Sequence, residues 1–230
     1  MGFEFHHRLF HRIMWTVYIQ IMSKALLFIL TRQRVTGKEN IPKQGALLIV
    51  SNHLSGADQF LLSASFNRKV VYMAKEELFR SRLIRCLAAS FGAFPVRRGG
   101  IMDRQAVRLA SQILESGQAL VMFPEGMRSK KAKLKPAFPG SALIALHNNV
   151  PILPVGITGM EHIDVKGPLW HLIHRPKVTV NIGHPFHLPP VKNKRELNKV
   201  QLVDLADFIM KHIAELLPPE YRGHYARDKD

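Results

Sequence analysis

The residues of this chain best suited to chemistry are His53 and Asp58, which lie five positions apart. An imidazole with one nitrogen held by a carboxylate presents the other nitrogen as a base, and the carboxylate stabilises the imidazolium that forms. Such a pair can deprotonate a hydroxyl group. Because the chain has 12 histidines, this spacing arises by chance in roughly one such chain of three, so the pair needs support from its surroundings.

The sequence offers no protein nucleophile for this base. It contains no Gly-x-Ser-x-Gly run, and its single cysteine, Cys86, lies in an apolar segment where a buried, inert thiol is expected. The pair therefore predicts activation of a hydroxyl that the substrate brings, attacking a carbonyl without a covalent acyl-enzyme. The lone cysteine also excludes an intramolecular disulfide and indicates a reducing compartment.

The position of the pair depends on a strand and the helix that follows it. The apolar run ALLIV at 46–50 predicts a buried strand, so His53 follows a strand's carboxyl end, where open α/β sheets place their sites. Residues five apart in one helix point ~140° away from each other. His53 must therefore precede the helix expected at 57–65, with Asp58 in its first turn, where the helix dipole favours a carboxylate.

The rest of the chain predicts an α/β fold. From Arg34 onward, aliphatic and β-branched runs alternate with helix-period segments, so we expect a mixed, largely parallel central sheet flanked by helices. Strands are expected at 46–50, 70–73, 118–123, 150–157 and 177–182. Helices are expected at about 57–65, 76–90, 102–116 and 138–148, with a last amphipathic helix over 202–216 that stops at Pro218-Pro219.

Two turns after apolar runs carry further polar candidates. They are Arg97 and Arg98 in the first turn and Glu125, Gly126 and Arg128 in the second. Arginine beside glycine suits phosphate recognition, because glycine permits close backbone approach and the guanidinium is a bidentate donor. Ordinary solvated surface residues are the alternative for any one of them. A third run, VPILPV at 150–155, contains two prolines, which predict an edge or bulged strand.

The N-terminal segment predicts membrane contact. Residues 13–30 are the most apolar stretch, but as a helix they would extend ~27 Å, short of the ~30 Å hydrocarbon core. Polar residues recurring every four positions from Arg8 to Lys24 form one narrow seam. We expect a monotopic or half-inserted anchor over residues 1–33, an α/β domain over 34–220 and a polar tail over 221–230. A helix buried against the domain is the alternative.

The charge of the chain favours anionic partners. It has 33 Lys+Arg against 17 Asp+Glu, a net charge of +16 and a pI near 10.3, and its loop at 128–135 is strongly cationic. Nucleic acid is not expected as a partner, because the cations are not interleaved with aromatic residues. No metal is expected either: His7/His11 and His171/His174 have ligand-like spacing, but no supporting carboxylate or cysteine is apparent.

Four segments, in order, resemble the motifs of the glycerolipid acyltransferase family, whose best-known members are 1-acylglycerol-3-phosphate acyltransferases. They are NHLSGAD at 52–58, similar to the His-x4-Asp motif, GAFPVRR at 92–98, FPEGMRS at 123–129 and VPILPV at 150–155. VTGKENIP at 35–42 is similar to the opening strand of the family's domain. The order of the four motifs makes the resemblance specific, and it covers most of the chain.

The resemblance implies a role for each site residue. It implies that His53 is the general base, that Asp58 orients it, and that the acceptor's phosphate is held by the turn residues. These are Arg98, Glu125, Gly126 and Arg128, with Arg97 as a secondary candidate. One departure is visible: Met127 stands where many members carry threonine, so any contact from that hydroxyl is absent here.

The resemblance also implies the substrates and the location. We expect an acyl thioester donor, on coenzyme A or acyl carrier protein, no bound cofactor, and a membrane-associated enzyme at the cytoplasmic face, monotopic or peripheral. The expected reaction acylates the sn-2 hydroxyl of lysophosphatidate to give phosphatidate. The alternatives are the same chemistry on glycerol-3-phosphate or another lysolipid, or a non-catalytic basic protein that binds membranes or nucleic acid.

Overall fold

The apolar runs of the sequence form the strands of one seven-stranded sheet. The computed structural model describes residues 21–81, 85, 88, 92–96, 104–163, 168–191 and 197–226. The strands are β1 (Arg32–Thr36), β2 (Leu47–Ser51), β3 (Val70–Lys75), β4 (Ala93–Val96), β5 (Ala119–Met122), β6 (Ile152–Thr158) and β7 (Lys177–Ile182). Their order across the sheet is β1-β7-β6-β2-β5-β3-β4.

Helices cover both faces of the sheet. They are α1 (Met22–Leu30), α2 (Asp58–Ser65), α3 (Arg104–Glu115), α4 (Gly140–Asn148), α5 (Pro168–His174) and α6 (Lys199–Glu215). Short 3-10 helices occur at Lys38–Asn40, Glu76–Arg80, Met160–His162, Pro219–Tyr221 and Gly223–Tyr225. The helix expected at 76–90 therefore begins as a 3-10 turn, while α5 was not predicted from the sequence.

The sheet is mixed and largely parallel, which confirms the expected fold class. Every neighbouring pair of strands is parallel except β6 and β7. Strand β2 lies between β5 and β6, and its apolar side chains are fully buried. Because successive side chains point to opposite faces, Leu48 and Val50 join the core under α3, α4 and α6. Leu47 and Ile49 join the core under α1 and α2.

The segment 150–155, predicted as an edge or bulged strand, is not at an edge, so that part of the prediction was wrong; Pro154 lies within β6 and Pro151 precedes it. Strand β6 pairs with β2 on one side and with β7 on the other. The β7 ladder reaches only to Val155, and the N–H of Gly183 donates to the carbonyl of Pro154 at 2.9 Å. The imide nitrogen of Pro154 faces that same side, between the β7 ladder and the separate pairing of Ile152 with Phe186, so no ladder hydrogen bond is lost there.

The two ends of the chain differ from expectation in detail. Strand β1 begins at Arg32, so the sheet already includes residues assigned to the N-terminal segment. Helix α1 covers the last nine residues of the stretch 13–30; residues 13–20 lie outside the described residues. Within the described part of the chain, no helix is both long and apolar enough to cross a bilayer. Residues 221–226, expected as part of a polar tail, are folded in 3-10 turns.

Candidate active site

The segment that carries His53 is anchored at the end of β2. The buried side chain of Asn52 donates from Nδ2 to the carbonyl of Ile157 at 2.8 Å and accepts from its N–H at 2.8 Å. This two-way hydrogen bond replaces the strand pairing that ends at Ser51. It joins the start of the loop to β6 and directs the following residue out of the core, so His53 sits at the carboxyl edge of the sheet.

His53 and Asp58 are in direct contact. Asp58 is the first residue of α2, is fully buried, and places Oδ2 2.8 Å from Nδ1 of His53. The same oxygen accepts the backbone N–H groups of Leu54 at 2.7 Å and Ser55 at 3.0 Å. Because a carboxylate can only accept, Nδ1 carries the proton and Nε2 carries the lone pair. The ring is 13% exposed, so Nε2 is the base that a substrate can meet.

An aromatic ring supports the imidazole. Phe123, which follows β5, stacks on His53 with ring centroids 4.0 Å apart and an interplanar angle of 16°. Strand β5 is the direct neighbour of β2 in the sheet, so adjacent strand ends deliver the two rings. The stack limits rotation about the side-chain torsions of His53, in addition to the bond from Asp58. The imidazole is therefore held in one orientation.

Glu125 holds the backbone of His53. Its carboxylate is 1% exposed; Oε1 accepts the N–H of His53 at 3.2 Å, and Oε2 accepts the N–H of Lys135 at 3.0 Å. Burial raises the pKa of Glu125 to about 7, against the opposing effect of these two hydrogen bonds and of the Lys135 charge. The N–H of Ser129 donates to the carbonyl of His53 at 2.7 Å. Both polar groups of the His53 backbone are thus bonded to the segment after β5.

The other two candidates of this turn lie at its surface. Gly126 has a φ of +66°, and a Cβ there would approach the Phe138 ring to 2.9 Å, so glycine is required by both conformation and space. The exposed Arg128 follows, and its carbonyl accepts from Nζ of Lys135 at 3.1 Å. Met127, which stands where many members of the resembled family carry threonine, is also exposed. The turn therefore presents the Arg128 cation beside His53, while the N–H of Gly126 donates to the carbonyl of Phe123 at 2.9 Å.

Residues near the end of the chain hold the loop that follows this turn, and this contact was not predicted from the sequence. We call residues 218–226 the C-terminal strap. The N–H of Leu134 donates to the carbonyl of Tyr221 at 2.9 Å, and the N–H of His224 donates to the carbonyl of Leu134 at 3.0 Å. Tyr225 accepts the N–H of Ala137 at 3.1 Å and donates to Asp207. The sequence did contain one signal of this contact: two large aromatic residues, Tyr221 and Tyr225, in a segment expected to be a polar tail.

The predicted site residues are partly brought together. The structure places His53, Asp58, Glu125, Gly126 and Arg128 around the ends of β2 and β5. Arg97 and Arg98 lie outside the described residues; the strand before them, β4, runs parallel to β2 and ends at the same edge of the sheet. Their phosphate-binding role stays a prediction.

The remaining histidine pairs supply no metal centre that can be described. His171 and His174 contact the Trp170 ring, with centroids 5.0 and 4.4 Å apart. His7 and His11 lie outside the described residues. In the part of the chain that the structure describes, no group of three or more His, Cys, Asp or Glu side chains could hold a metal ion.

Known proteins are similar to this chain in sequence over the range that contains the site. The model of a family described as Acyltransferase matches residues 32–158, a range that contains His53, Asp58 and Glu125. A 1-acyl-sn-glycerol-3-phosphate acyltransferase from Borreliella burgdorferi is 27% identical over 184 residues, which is 80% of this chain and 70% of that protein. Its namesake from Streptococcus pneumoniae is 32% identical over 162 residues, 69% of this chain and 57% of that protein.

One solved structure supports the fold. The crystal structure of the 1-acyl-sn-glycerophosphate (LPA) acyltransferase from Thermotoga maritima superposes with a TM-score of 0.67 at 24% identity. The match covers 90% of this chain and 79% of that one. At this level of identity, the likeness shows that the two chains share the same sheet and helix architecture.

Proposed function

Since this chain belongs to the acyltransferase family, we propose that it transfers an acyl group from a thioester to the sn-2 hydroxyl of lysophosphatidate, giving phosphatidate for phospholipid biosynthesis. The relatives described above carry names for that activity. One observation carries the proposal: Asp58 occupies Nδ1 of His53, which leaves Nε2 as the nitrogen that can act as the base.

The proposed reaction needs one base and no covalent enzyme intermediate. Nε2 of His53 removes the proton of the acceptor hydroxyl as the oxygen attacks the thioester carbonyl, and Asp58 stabilises the imidazolium. The tetrahedral intermediate then collapses, the carbon–sulfur bond breaks, and the thiolate takes the proton back from His53. The products are the new ester and a free thiol, and the enzyme returns to its starting state.

The acceptor's phosphate is proposed to lie over the turn after β5. Arg128 is exposed beside His53, Gly126 is proposed to let the turn approach the phosphate, and Arg98 and Arg97 are proposed as further cations from the end of β4. Glu125 is proposed to act indirectly, because its two oxygens already accept N–H groups and a buried carboxylate would repel a phosphate. It fixes His53 while the arginines bind the anion.

The donor is proposed to be an acyl thioester of coenzyme A or of acyl carrier protein. Both are anionic, and the loop after the turn exposes Lys130, Lys131 and Lys133 close to the site. Membrane association at the cytoplasmic face is part of the same proposal, because both the acceptor and the product are lipids. The apolar side chains that α1 exposes suit peripheral or monotopic attachment.

The test is an acceptor and donor panel with the purified protein. Lysophosphatidate, glycerol-3-phosphate and lysophosphatidylcholine are each offered with acyl-coenzyme A and with acyl carrier protein, and the products are identified by mass. We expect phosphatidate from lysophosphatidate with at least one donor. Acylation of glycerol-3-phosphate in its place would transfer the proposal to that acceptor, and no transfer with any pair would refute it.

A further inference from the structure

A basic groove lies between α1 and β1, away from His53. Its volume is about 730 Å³, and four cationic side chains line it: Lys24, Arg32, Lys38 and Arg175. Apolar wall atoms come from Phe28 and Val35. None of the four cations forms an ion pair with a carboxylate among the described residues. The groove therefore concentrates positive charge that no described acidic side chain offsets, which suits an anionic ligand.

One of these cations is fixed in place by the fold. Nη2 of Arg175 donates to the backbone carbonyls of Phe28 and Thr31, and its guanidinium carbon lies 5.5 Å from the centre of the Phe28 ring. Arg175 follows α5, so these contacts join the end of α5 to the end of α1. A preorganised guanidinium is a strong donor for phosphate, because little side-chain freedom is lost on binding.

Apolar side chains are exposed on α1 and on α5, the two helices whose ends Arg175 joins. Phe28 of α1 is 72% exposed and Ile173 of α5 is 71% exposed, and Ile29 and Leu172 are exposed beside them. Helices α1 and α5 pack against each other, so the four side chains belong to one surface. An apolar surface next to unpaired cations matches the chemistry of an anionic bilayer, with acyl chains below and phosphates above.

One end of the groove lies at the edge of the sheet that carries the base. Strands β1 and β7 are parallel to each other, and β7 is antiparallel to β6, which is parallel to β2. Arg32, at the start of β1, therefore lies at the edge where β2 ends and His53 follows. The groove continues along β1 toward Lys38, so its Arg32 end is the part nearest the edge of the sheet that holds Nε2.

We propose that this groove is a second anion site, which binds the phosphate of an anionic membrane phospholipid while the exposed side chains of α1 and α5 enter the acyl layer. The inference rests on the proposed lipid substrate only in that both place the protein at a membrane. The groove holds the surface lipid, and the turn after β5 holds the acceptor.

The test compares two double variants with the same change in charge. Arg32→Gln/Lys38→Gln removes two groove cations, and Lys199→Gln/Lys211→Gln removes two exposed cations from α6 on the opposite face of the sheet. Binding is measured by co-sedimentation with vesicles of phosphatidylcholine, with and without phosphatidylglycerol. The groove variant is expected to bind the anionic vesicles roughly thirtyfold more weakly, since each cation near such a surface contributes ~1 kcal/mol. The α6 variant is expected to change much less.

A second pair of variants tests the apolar part. Ile173→Ser is expected to weaken binding to the anionic vesicles severalfold, whereas Val200→Ser, an equally exposed position on α6, is expected to leave it unchanged. Turnover of a dispersed short-chain lysophosphatidate is measured in parallel and is expected to be retained by every variant. Wild-type failure in that assay would count against lysophosphatidate as the acceptor and leave the groove result standing.

Three results would overturn the groove proposal. One is an equal loss of vesicle binding in the two double variants, which would show that only net charge matters. Another is loss of dispersed-substrate turnover in the groove variant, which would assign the groove to the acceptor. The third is binding of soluble glycerol phosphate to the groove, together with unchanged vesicle binding by the groove variant. That result would show that the groove is a site for a free phosphate.

Discussion

The backbone N–H of His53 donates to Oε1 of Glu125 at 3.2 Å, across 72 residues of sequence. Oε2 of the same carboxylate accepts the N–H of Lys135, so one buried side chain joins the candidate base to the loop that the C-terminal strap holds. The geometry of His53 thus depends on Asp58 for the ring and on Glu125 for the backbone.

Replacing Glu125 by glutamine should lower turnover and stability together. The amide offers one acceptor oxygen where the carboxylate offered two, so either His53 or Lys135 keeps an unpaired buried N–H, at a cost of ~1–3 kcal/mol. We expect kcat to fall roughly tenfold or more while the KM for lysophosphatidate is little changed. Steady-state kinetics and urea unfolding measure the two effects, with the exposed Glu115→Gln as the control. A raised KM with normal kcat would instead place Glu125 on the phosphate.

The same carboxyl group should make stability depend on pH. Because burial raises the pKa of Glu125 from 4.5 to about 7, the folded chain keeps a proton between those values that the unfolded chain has released. This group therefore makes the free energy of unfolding decrease as the pH rises through that interval. Urea titrations of the wild type and of Glu125→Gln over this range measure the difference between their slopes. Parallel curves would contradict the prediction.

The loop beside the site contains a strained residue that glycine should relieve. Ala132 has a φ of +53°, a left-handed conformation that costs an L-residue ~1–2 kcal/mol, and its N–H donates to the carbonyl of Ser129. Ala132→Gly should stabilise the protein by ~0.5–1 kcal/mol after the greater entropy of the unfolded glycine chain is included. Ala25→Gly, at an exposed position within α1, should destabilise it. Equal losses in the two variants would be inconsistent with the strain.

Removing the hydroxyl of Tyr225 should loosen the C-terminal strap. Tyr225→Phe removes the acceptor of the Ala137 N–H and the donor to Asp207, close to Lys135 and its bond to Glu125. We expect kcat to fall severalfold with an unchanged KM for the acceptor. Asp207→Asn keeps an oxygen that accepts from Tyr225 and should retain most of the activity. If Tyr225→Phe has wild-type kcat, the strap does not position the site.

Patterns of neighbouring residues predicted the strands and helices whose formation depends on short-range hydrophobic periodicity. The β-branched run at 177–182 forms a strand with those bounds, and the apolar run before His53 forms β2, one residue later than expected. The contact of His53 with Asp58 followed from the strand-then-helix pattern. Two residues five positions apart point away from each other within one helix, but they can meet across the turn that precedes it. The prolines at 151 and 154 wrongly indicated an edge strand, because the effect of a proline on strand pairing depends on where the neighbouring strand ends.

Contacts between distant segments could not be predicted from local patterns. Two features leave no pattern in the spacing of residues, because each joins segments far apart in sequence. They are the bonds from two backbone N–H groups to the Glu125 oxygens and the contact of the C-terminal strap with Leu134. Helix α5 is short, and it borders the groove only because Arg175 reaches the end of α1. Such features depend on the assembled tertiary structure.

The central claim is that His53 is the general base, and the most direct measurement is the rate of acyl transfer to lysophosphatidate by purified His53→Ala with the donor that serves the wild type. We predict a loss of roughly 10³-fold or more, with vesicle binding retained, because no other described group holds Nε2's position. Near-normal turnover in this variant would contradict the mechanism.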